Sequence, residues 1–127
     1  MADADPNDCS QDRPHDLDAL RERLREFARE RDWQPFHSPK NLAMALSVEA
    51  AELLEHFQWL TESESRAPAP DRLAAVGEEC ADVLLYLVQL ADQLGIDLLD
   101  AARRKMARNA LRYPVEAARG HARKADR

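Results

Sequence analysis

The sequence predicts an all-α protein, a four-helix bundle completed by oligomerisation. Apolar side chains recur at spacings of three and four in four separate segments, which is the periodicity of amphipathic helices. Polar stretches that contain proline or glycine separate these segments. Only three glycines occur in 127 residues, which leaves little room for tight β-hairpins. We therefore expect helices, no strands and a single domain.

The first helix follows residues 1–15, a polar stretch with two prolines that we expect to be a disordered acidic tail. Its apolar face is formed by Leu17, Leu20, Leu24 and Phe27. Asp16 is a suitable N-cap for this helix, and the pattern ends near Arg31. A loop, "DWQPFHSPKN", then leads to a second helix predicted from about Asn41 to Leu60.

The third helix follows a polar connection, "TESESRAPAPD", that contains two prolines. We expect this helix to start near Asp71 or Arg72 and to reach about Leu94. Gly95 comes directly after it, and glycine is the common residue just past a helix end. The third helix is apolar nearly all round, with Leu84, Leu85 and Val88 on faces away from its main stripe. A helix of this kind must be buried on all sides, which favours a second subunit.

The fourth helix is predicted from Asp97, a candidate N-cap, to about Arg112, because Pro114 prevents its continuation. Residues 16–114 then form the folded domain. Residues 115–127 form a basic C-terminal tail that we expect to be frayed.

Composition limits the classes of function. The formal net charge of −6 weighs against a general nucleic-acid binder, which needs a basic footprint. Two cysteines do not make a disulfide framework. The N-terminal residues lack the apolar core of a signal peptide, and the apolar run Val83–Ala91 is too short to span a bilayer. We expect a cytoplasmic protein with neither a nucleic-acid nor a membrane partner.

Carboxylates lie on the apolar faces of two helices. With 3.6 residues per turn, Glu49 falls inside the stripe of the second helix and Glu52 falls on its flank. The third helix repeats this arrangement with Glu79 in its stripe and Asp82 on its flank. The two motifs, "EAAE" and "ECAD", share i, i+3 spacing. A buried ionised carboxylate is costly unless it is paired or bound to a cation.

Three explanations of these four carboxylates remain open. Basic residues of the fourth helix could pair with them in a structural salt-bridge network. A divalent metal could hold them, and an all-carboxylate site without cysteine favours Mg²⁺, with Mn²⁺ possible. A di-iron site is the third, although such bundles typically carry E-x-x-H motifs and His56 follows Glu52 by four. The doubled spacing and the clustered like charge favour Mg²⁺ or Mn²⁺.

Magnesium held by a few carboxylates usually acts on phosphates. Lys105, Asn109 and Arg112 share one face of the fourth helix and could neutralise a polyphosphate, or they could be an ordinary solvated face. Four aromatic residues could either stack on a base or pack in the core: Trp33, Phe36, Trp59 and Tyr86.

Three segments resemble the MazG-like nucleotide pyrophosphohydrolases, and within them the dCTP pyrophosphatase branch. They are "FARERDWQPFHSPKNLAMALSVEAAELLEHFQW", "EECADVLLYLVQLADQLGIDL" and "KMARNALRYP". The resemblance covers roughly residues 17–114. It implies an all-α fold that assembles as a dimer or as a tetramer built from dimers. It also implies Mg²⁺-dependent hydrolysis between the α- and β-phosphates of a nucleotide, dCTP or a modified dCTP, to a monophosphate and pyrophosphate.

The resemblance also implies roles for individual residues. The metal ligands match Glu49, Glu52, Glu79 and Asp82. The residues near the phosphates and sugar match Lys105, Asn109, Arg112 and Tyr113. The base and sugar pocket matches Trp33, Trp59 and Tyr86, with His37 and Lys40 in the bordering loop.

The same positions suggest a division of chemical work. Glu52 lies off the centre of the apolar face, so we expect it to orient the attacking water. We expect Lys105 and Arg112 to stabilise the leaving pyrophosphate. The alternative is a non-catalytic helical interaction module whose acidic face is salt-bridged.

Overall fold

Helices account for all the regular structure in residues 13–125, the part of the chain that this computed structural model describes. Six α-helices occur there: α1 (Leu17–Glu30), α2 (Pro39–Glu55), α3 (Glu62–Arg66), α4 (Pro70–Gln93), α5 (Leu98–Arg112) and α6 (Val115–Ala118). A 3₁₀ helix, Gln34–Phe36, lies between α1 and α2. No strand is found in these residues, which confirms the all-α prediction. Most of the predicted disordered tail, residues 1–12, lies outside the described range.

The packing centres on α4. The closest helix–helix packing is that of α2 against α4, and α1 packs against a second part of α4. The buried apolar residues are few: Ala28, Leu42, Val88 and Ala91. They come from all three of these helices, so the core holds α1 and α2 on the long α4 helix. No helix in residues 13–125 is long and apolar enough to cross a membrane.

The helices α1 and α4 end in the same hydrogen-bonded turn. At the end of α4, Gly95 has a φ of 67°, and the Ile96 N–H donates to the Ala91 carbonyl at 2.8 Å. At the end of α1, Asp32 takes the place of that glycine with a φ of 52°. The Trp33 N–H then donates to the Ala28 carbonyl at 2.9 Å, completing the second Schellman turn. This turn fixes where Trp33 leaves α1.

The helix α2 begins at Pro39, two residues before the predicted start near Asn41, and it ends early. The Ser38 hydroxyl caps it by accepting from the Asn41 N–H at 3.2 Å. The predicted end at Leu60 is wrong by five residues, since α2 stops at Glu55 and residues 56–60 form tight turns. Arg72 donates to the His56 carbonyl at 2.7 Å, which satisfies a group that a longer helix would have used internally.

The connection between α2 and α4 contains a short helix that the sequence analysis did not predict. Thr61 and Glu64 form a capping box at the start of α3: the Thr61 hydroxyl accepts from the Glu64 N–H, and the Glu64 carboxylate accepts from the Thr61 N–H. The hydrogen bond from the Thr61 N–H, and then one with the Thr61 hydroxyl, lower the pKa of the Glu64 carboxyl group. Two reciprocal bonds stabilise one helical turn where composition alone suggested an irregular loop.

The helix α5 makes few contacts with the other helices. Asp97 caps it as predicted, accepting from the Asp100 N–H at 3.0 Å. It packs extensively on none of α1, α2 and α4. Its large apolar side chains are exposed, Met106 by 71% and Leu111 by 83%. The apolar side chains of α5 are therefore largely uncovered in the single chain.

Candidate active site

The packing of α2 on α4 brings together the carboxylates that the sequence analysis selected. One oxygen each from Glu49, Glu79 and Asp82 lies within 4.8 Å of the other two. Glu52 is one turn along α2 and within hydrogen-bonding reach of Glu49. Three of the four acidic residues of the two i, i+3 motifs therefore converge although the motifs are 30 residues apart in the chain, and the fourth, Glu52, raises the pKa of Glu49 from the next turn of α2.

The cluster is electrostatically strained. The pKa of Glu49 is raised to about 7, first by the hydrogen bond with Glu52, then by desolvation, the hydrogen bond with Glu79 and the charges of Glu52 and Asp82. Each of these effects favours the protonated acid over the carboxylate. One oxygen of Glu49 and one of Glu79 are buried and have no hydrogen-bond partner. A buried oxygen of this kind is expensive unless a donor or a cation meets it.

A divalent cation fits this arrangement better than a salt-bridge network. Among residues 13–125, none of the four carboxylates forms an ion pair with a lysine or an arginine. On α5, Arg104 forms its ion pair with Asp100 of the same helix. Oxygen ligands from several carboxylates are the donor set that Mg²⁺ and Mn²⁺ prefer. His56 is not a member of the cluster, so a di-iron arrangement gains no support.

A cavity of about 520 Å³ opens beside the cluster, between α1 and α4. Asp82 and Tyr86 line it from α4, and Trp33 and His37 line it from the loop after α1. These four residues are thus brought together as the sequence analysis expected. Tyr86 lies one turn beyond Asp82 on the same helix, so a molecule in the cavity would also meet the carboxylate cluster.

The far wall of the cavity comes from α1. Its apolar part is formed by Leu20, Leu24 and Phe27, and Leu85 adds to the cavity from α4. The sequence analysis placed the three α1 residues on the apolar face of the first helix. No residue type among them signals a ligand, and only the position of α1 on α4 shows that they surround a cavity.

Aromatic contacts hold the mouth of the cavity in place. The Trp33 ring packs edge-on against Phe27, with centroids 5.6 Å apart, and against His37 at 6.2 Å. The Arg31 guanidinium covers the other face of Phe27 at 3.5 Å. A flat ring entering the cavity would therefore meet an ordered aromatic wall.

The remaining predicted site residues do not meet the cluster within the chain. Trp59 lies beyond the end of α2 and is 87% exposed. Lys40, in the first turn of α2, is exposed and does not line the cavity. Lys105 and Asn109 project from the isolated helix α5. Arg112 and Tyr113, at its end, instead contact the C-terminal segment.

Comparisons with known proteins agree with this architecture. The model of the MazG-like family matches residues 44–126. A dCTP pyrophosphatase 1 from Mus musculus is 47% identical over 108 residues, which is 84% of this chain and 64% of the relative. The protein of the same name from Homo sapiens is 46% identical over 110 residues, 85% and 65% of the two chains. The chain thus spans just under two thirds of the length of these relatives.

The fold has a solved counterpart. The crystal structure of a pyrophosphatase from Archaeoglobus fulgidus matches with a TM-score of 0.74 and 44% sequence identity. The match covers 80% of this chain and 95% of that one. The family match covers α4 and α5 completely and most of α2, the helices that carry both acidic motifs and the basic face. The chain belongs to the MazG-like family.

Proposed function

We propose that this chain is a Mg²⁺-dependent nucleoside triphosphate pyrophosphohydrolase. It cleaves between the α- and β-phosphates of a deoxynucleotide, dCTP or a modified dCTP, and releases the monophosphate and pyrophosphate. The proposal rests on the carboxylate cluster at the wall of a nucleotide-sized cavity. Two buried oxygens of this cluster, one each from Glu49 and Glu79, have no hydrogen-bond partner. The relatives named dCTP pyrophosphatase 1 and the pyrophosphatase structure support the same chemistry.

The metal ligands in this proposal are Glu49, Glu52, Glu79 and Asp82. Bound Mg²⁺, or Mn²⁺ in its place, supplies neutralisation of phosphate charge and activation of water. Without a cation the cluster concentrates negative charge. The raised pKa of Glu49 shows that this concentration of charge is energetically unfavourable. Cation binding and the release of the Glu49 proton are therefore linked.

Residues of the chain itself position the reactants. Glu52 lies at the edge of the cluster, where its carboxylate can accept a proton from the attacking water and align it with the α-phosphorus. Lys105 and Arg112 stabilise the negative charge of the leaving pyrophosphate. Asn109 and Tyr113 lie on the same part of the chain and contact the sugar and phosphates.

The base enters the cavity between α1 and α4. There the aromatic faces of Trp33 and Tyr86 offer stacking, and His37 offers a hydrogen-bonding edge. Lys40 and Trp59 lie at the two ends of α2 and outside this cavity in the single chain, so we assign them to contacts with the nucleotide in the assembled protein. Expulsion of water from the closed cavity strengthens each polar contact with the nucleotide.

The proposed site needs two copies of the chain. Within one chain the α5 residues Lys105, Asn109 and Arg112 stand away from the carboxylates, because α5 does not pack on α2. A second copy that covers the exposed apolar side chains of α5 would also bring basic residues to an acidic cluster. We infer a homo-oligomer, a dimer or a tetramer, acting on free nucleotides in the cytoplasm without a nucleic-acid or membrane partner.

The alternative function is a non-catalytic helical interaction module with a salt-bridged acidic face. It predicts that Mg²⁺ leaves the melting temperature unchanged, both in the wild type and in Glu79→Gln. Our proposal predicts that Mg²⁺ raises the melting temperature of the wild type only. An increase of equal size in the wild type and in Glu79→Gln would place the ion elsewhere.

The direct test is a panel of canonical and 5-modified nucleoside triphosphates incubated with the protein and Mg²⁺. Ion-exchange chromatography should show a monophosphate and pyrophosphate, with the largest kcat/KM for a cytosine nucleotide. Glu55→Gln, an exposed neighbour on α2, is the control and should keep full activity, whereas Glu49→Gln should lose it. Absence of turnover across the panel, or release of orthophosphate, would reject the proposal.

A further inference from the structure

The C-terminal segment folds back on the end of α5. The Ala125 N–H donates to the Tyr113 hydroxyl at 3.1 Å, and Arg112 donates to the Ala125 carbonyl at 3.2 Å. Arg112 and Tyr113, which both belong to the proposed substrate-binding set, thus bind the backbone C=O and N–H of Ala125. The sequence analysis expected a frayed tail here, but in residues 115–125 the chain forms α6 and then this return.

Internal hydrogen bonds order the returning segment. Gly120 turns the chain with a φ of 85°, which favours glycine. The His121 Nε2 is 2.8 Å from the Ala117 carbonyl, and His121 Nδ1 accepts from the Arg123 N–H at 3.2 Å. This pair of contacts requires the neutral ring with its proton on Nε2, which donates to Ala117. The segment is therefore held at three points between α6 and Tyr113.

The return borders a second, open cavity of about 420 Å³. The cationic side chains of Arg112, Arg123 and Lys124 contribute to its wall together with His121, and no carboxylate of residues 13–125 does. In the described part of the chain, the Arg123 and Lys124 side chains form neither an ion pair nor a hydrogen bond. Eight of the 18 lysines and arginines lie in residues 103–125, together with one acidic residue, in a chain whose net charge is −6.

We propose that this cavity binds a diphosphate group, either the terminal phosphates of the nucleotide or free pyrophosphate. The inference rests on the proposed function, since Arg112 and Tyr113 belong to both sites. Arginine guanidinium groups and lysine ammonium groups are the usual ligands of phosphate oxygens. The concentration of positive charge suits a small, dense anion, whereas the acidic remainder of the chain repels a long nucleic acid. Arg123 and Lys124 are the new ligands.

The test uses the double variant Arg123→Ala with Lys124→Ala in the full chain. Isothermal titration with pyrophosphate at fixed ionic strength should show about tenfold weaker binding, because two charged ligands are lost. The KM for dCTP should rise by a similar factor, while kcat changes less than twofold. The matched control, Arg66→Ala with Arg104→Ala, removes the same charge from α3 and α5 and should behave as the wild type.

The outcomes separate this inference from the proposed function. A wild type that hydrolyses no nucleotide rejects the function, while pyrophosphate titration still reports on the cavity. A wild type that hydrolyses dCTP, with a double variant whose pyrophosphate affinity and KM are unchanged, overturns the inference alone. Equal weakening in the control variant would also overturn it, since net charge would then be the cause. Tighter binding of a short single-stranded DNA than of pyrophosphate, lost in the same variant, would identify a nucleic-acid site instead.

Discussion

Glu49 is the residue at which folding and function conflict. Its position on α2 places it on the face that packs against α4, where an apolar residue would suit the fold better. Glu52, Glu79 and Asp82 surround it and raise its pKa to about 7. The same convergence groups the carboxylate oxygens that the proposed function assigns to a cation.

Glu49 should make the stability of the metal-free protein depend on pH. Its folded-state pKa of about 7 exceeds the ordinary value of 4.5, so its contribution is complete below pH 4.5 and is lost as pH rises through 7. With a chelator present, the melting temperature should fall between pH 5 and pH 8. Glu49→Gln should flatten that fall, and Mg²⁺ should reverse it in the wild type. An equal fall in Glu49→Gln would show that Glu49 is not responsible; Glu55→Gln is the control.

Asp32 is a second residue in an energetically unfavourable state, in this case because of its backbone conformation. Its φ of 52° is accessible to aspartate but strongly unfavourable for a β-branched residue. Asp32→Val should lower the free energy of unfolding by about 1–2 kcal/mol, whereas Asp32→Gly should not lower it. Urea denaturation measures both. A glycine variant as unstable as the valine variant would mean that the Asp32 side chain, rather than its backbone angle, stabilises the turn.

At the scale of helices, one ion pair joins α1 to α4. Arg25 is bidentate to Asp92, with Nε donating to Oδ2 at 2.7 Å. The hydrogen bond from Arg25 is the main cause of the lowered pKa of Asp92. Asp92 is largely buried and Arg25 is half exposed, so the pair orients the two helices more than it stabilises them.

Loss of this pair should loosen the wall of the cavity between α1 and α4. Asp92→Asn should lower the melting temperature by a few degrees, about 1 kcal/mol, and raise the KM for dCTP more than it lowers kcat. Because the pKa of Asp92 is lowered, the wild type should lose this stability as pH falls below about 4 and the variant should not. Asp18→Asn, which breaks an exposed pair within α1, is the control. Equal effects of the two variants would show that the cross-helix pair has no special role.

The helices were largely predictable because their end signals are local. Asp16, Gly95 and Asp97 act as the sequence analysis expected. Asp32 was missed because aspartate rarely replaces glycine in a left-handed turn. The capping box of α3, "TESE", was present in the sequence but was interpreted as part of a polar loop. The early end of α2 depends on a hydrogen bond from Arg72, 16 residues away, which helical periodicity does not detect.

The carboxylate cluster was predictable for a similar reason. Charge on an apolar helix face is visible in the sequence, and its repetition on two helices suggests that those faces meet. The apolar periodicity of α1 does not by itself predict a cavity wall, because leucines in a core and leucines around a ligand follow the same pattern. The position of α5 was not predictable either, since few contacts with the other helices of the chain fix it.

The whole molecule exposes more surface than a compact monomer of its size. Its accessible area is 10,654 Å², whereas a compact monomer of 14.4 kDa exposes about 6,800 Å². The 14 residues outside the described range account for about 2,200 Å² of this at most. The excess coincides with large exposed apolar side chains on α5, including Leu99, Met106 and Leu111. This surface is the basis of the proposed oligomer.

A charge placed on that surface should therefore separate the subunits. Leu111→Glu should reduce the mass measured by light scattering after size exclusion to that of a monomer, and activity should fall with it. Ser63→Glu adds the same charge to α3 and should leave the oligomer intact. A wild type that is itself monomeric and fully active would show that one chain completes the site alone.

The most direct measurement is hydrolysis of dCTP in ¹⁸O-labelled water with Mg²⁺, followed by mass spectrometry of both products. Attack on the α-phosphorus beside the carboxylate cluster predicts that the label enters dCMP and that the pyrophosphate stays unlabelled. The label should disappear from the products when Glu79→Gln replaces the wild type, because turnover stops. Label in the pyrophosphate, or labelled orthophosphate, would contradict the account.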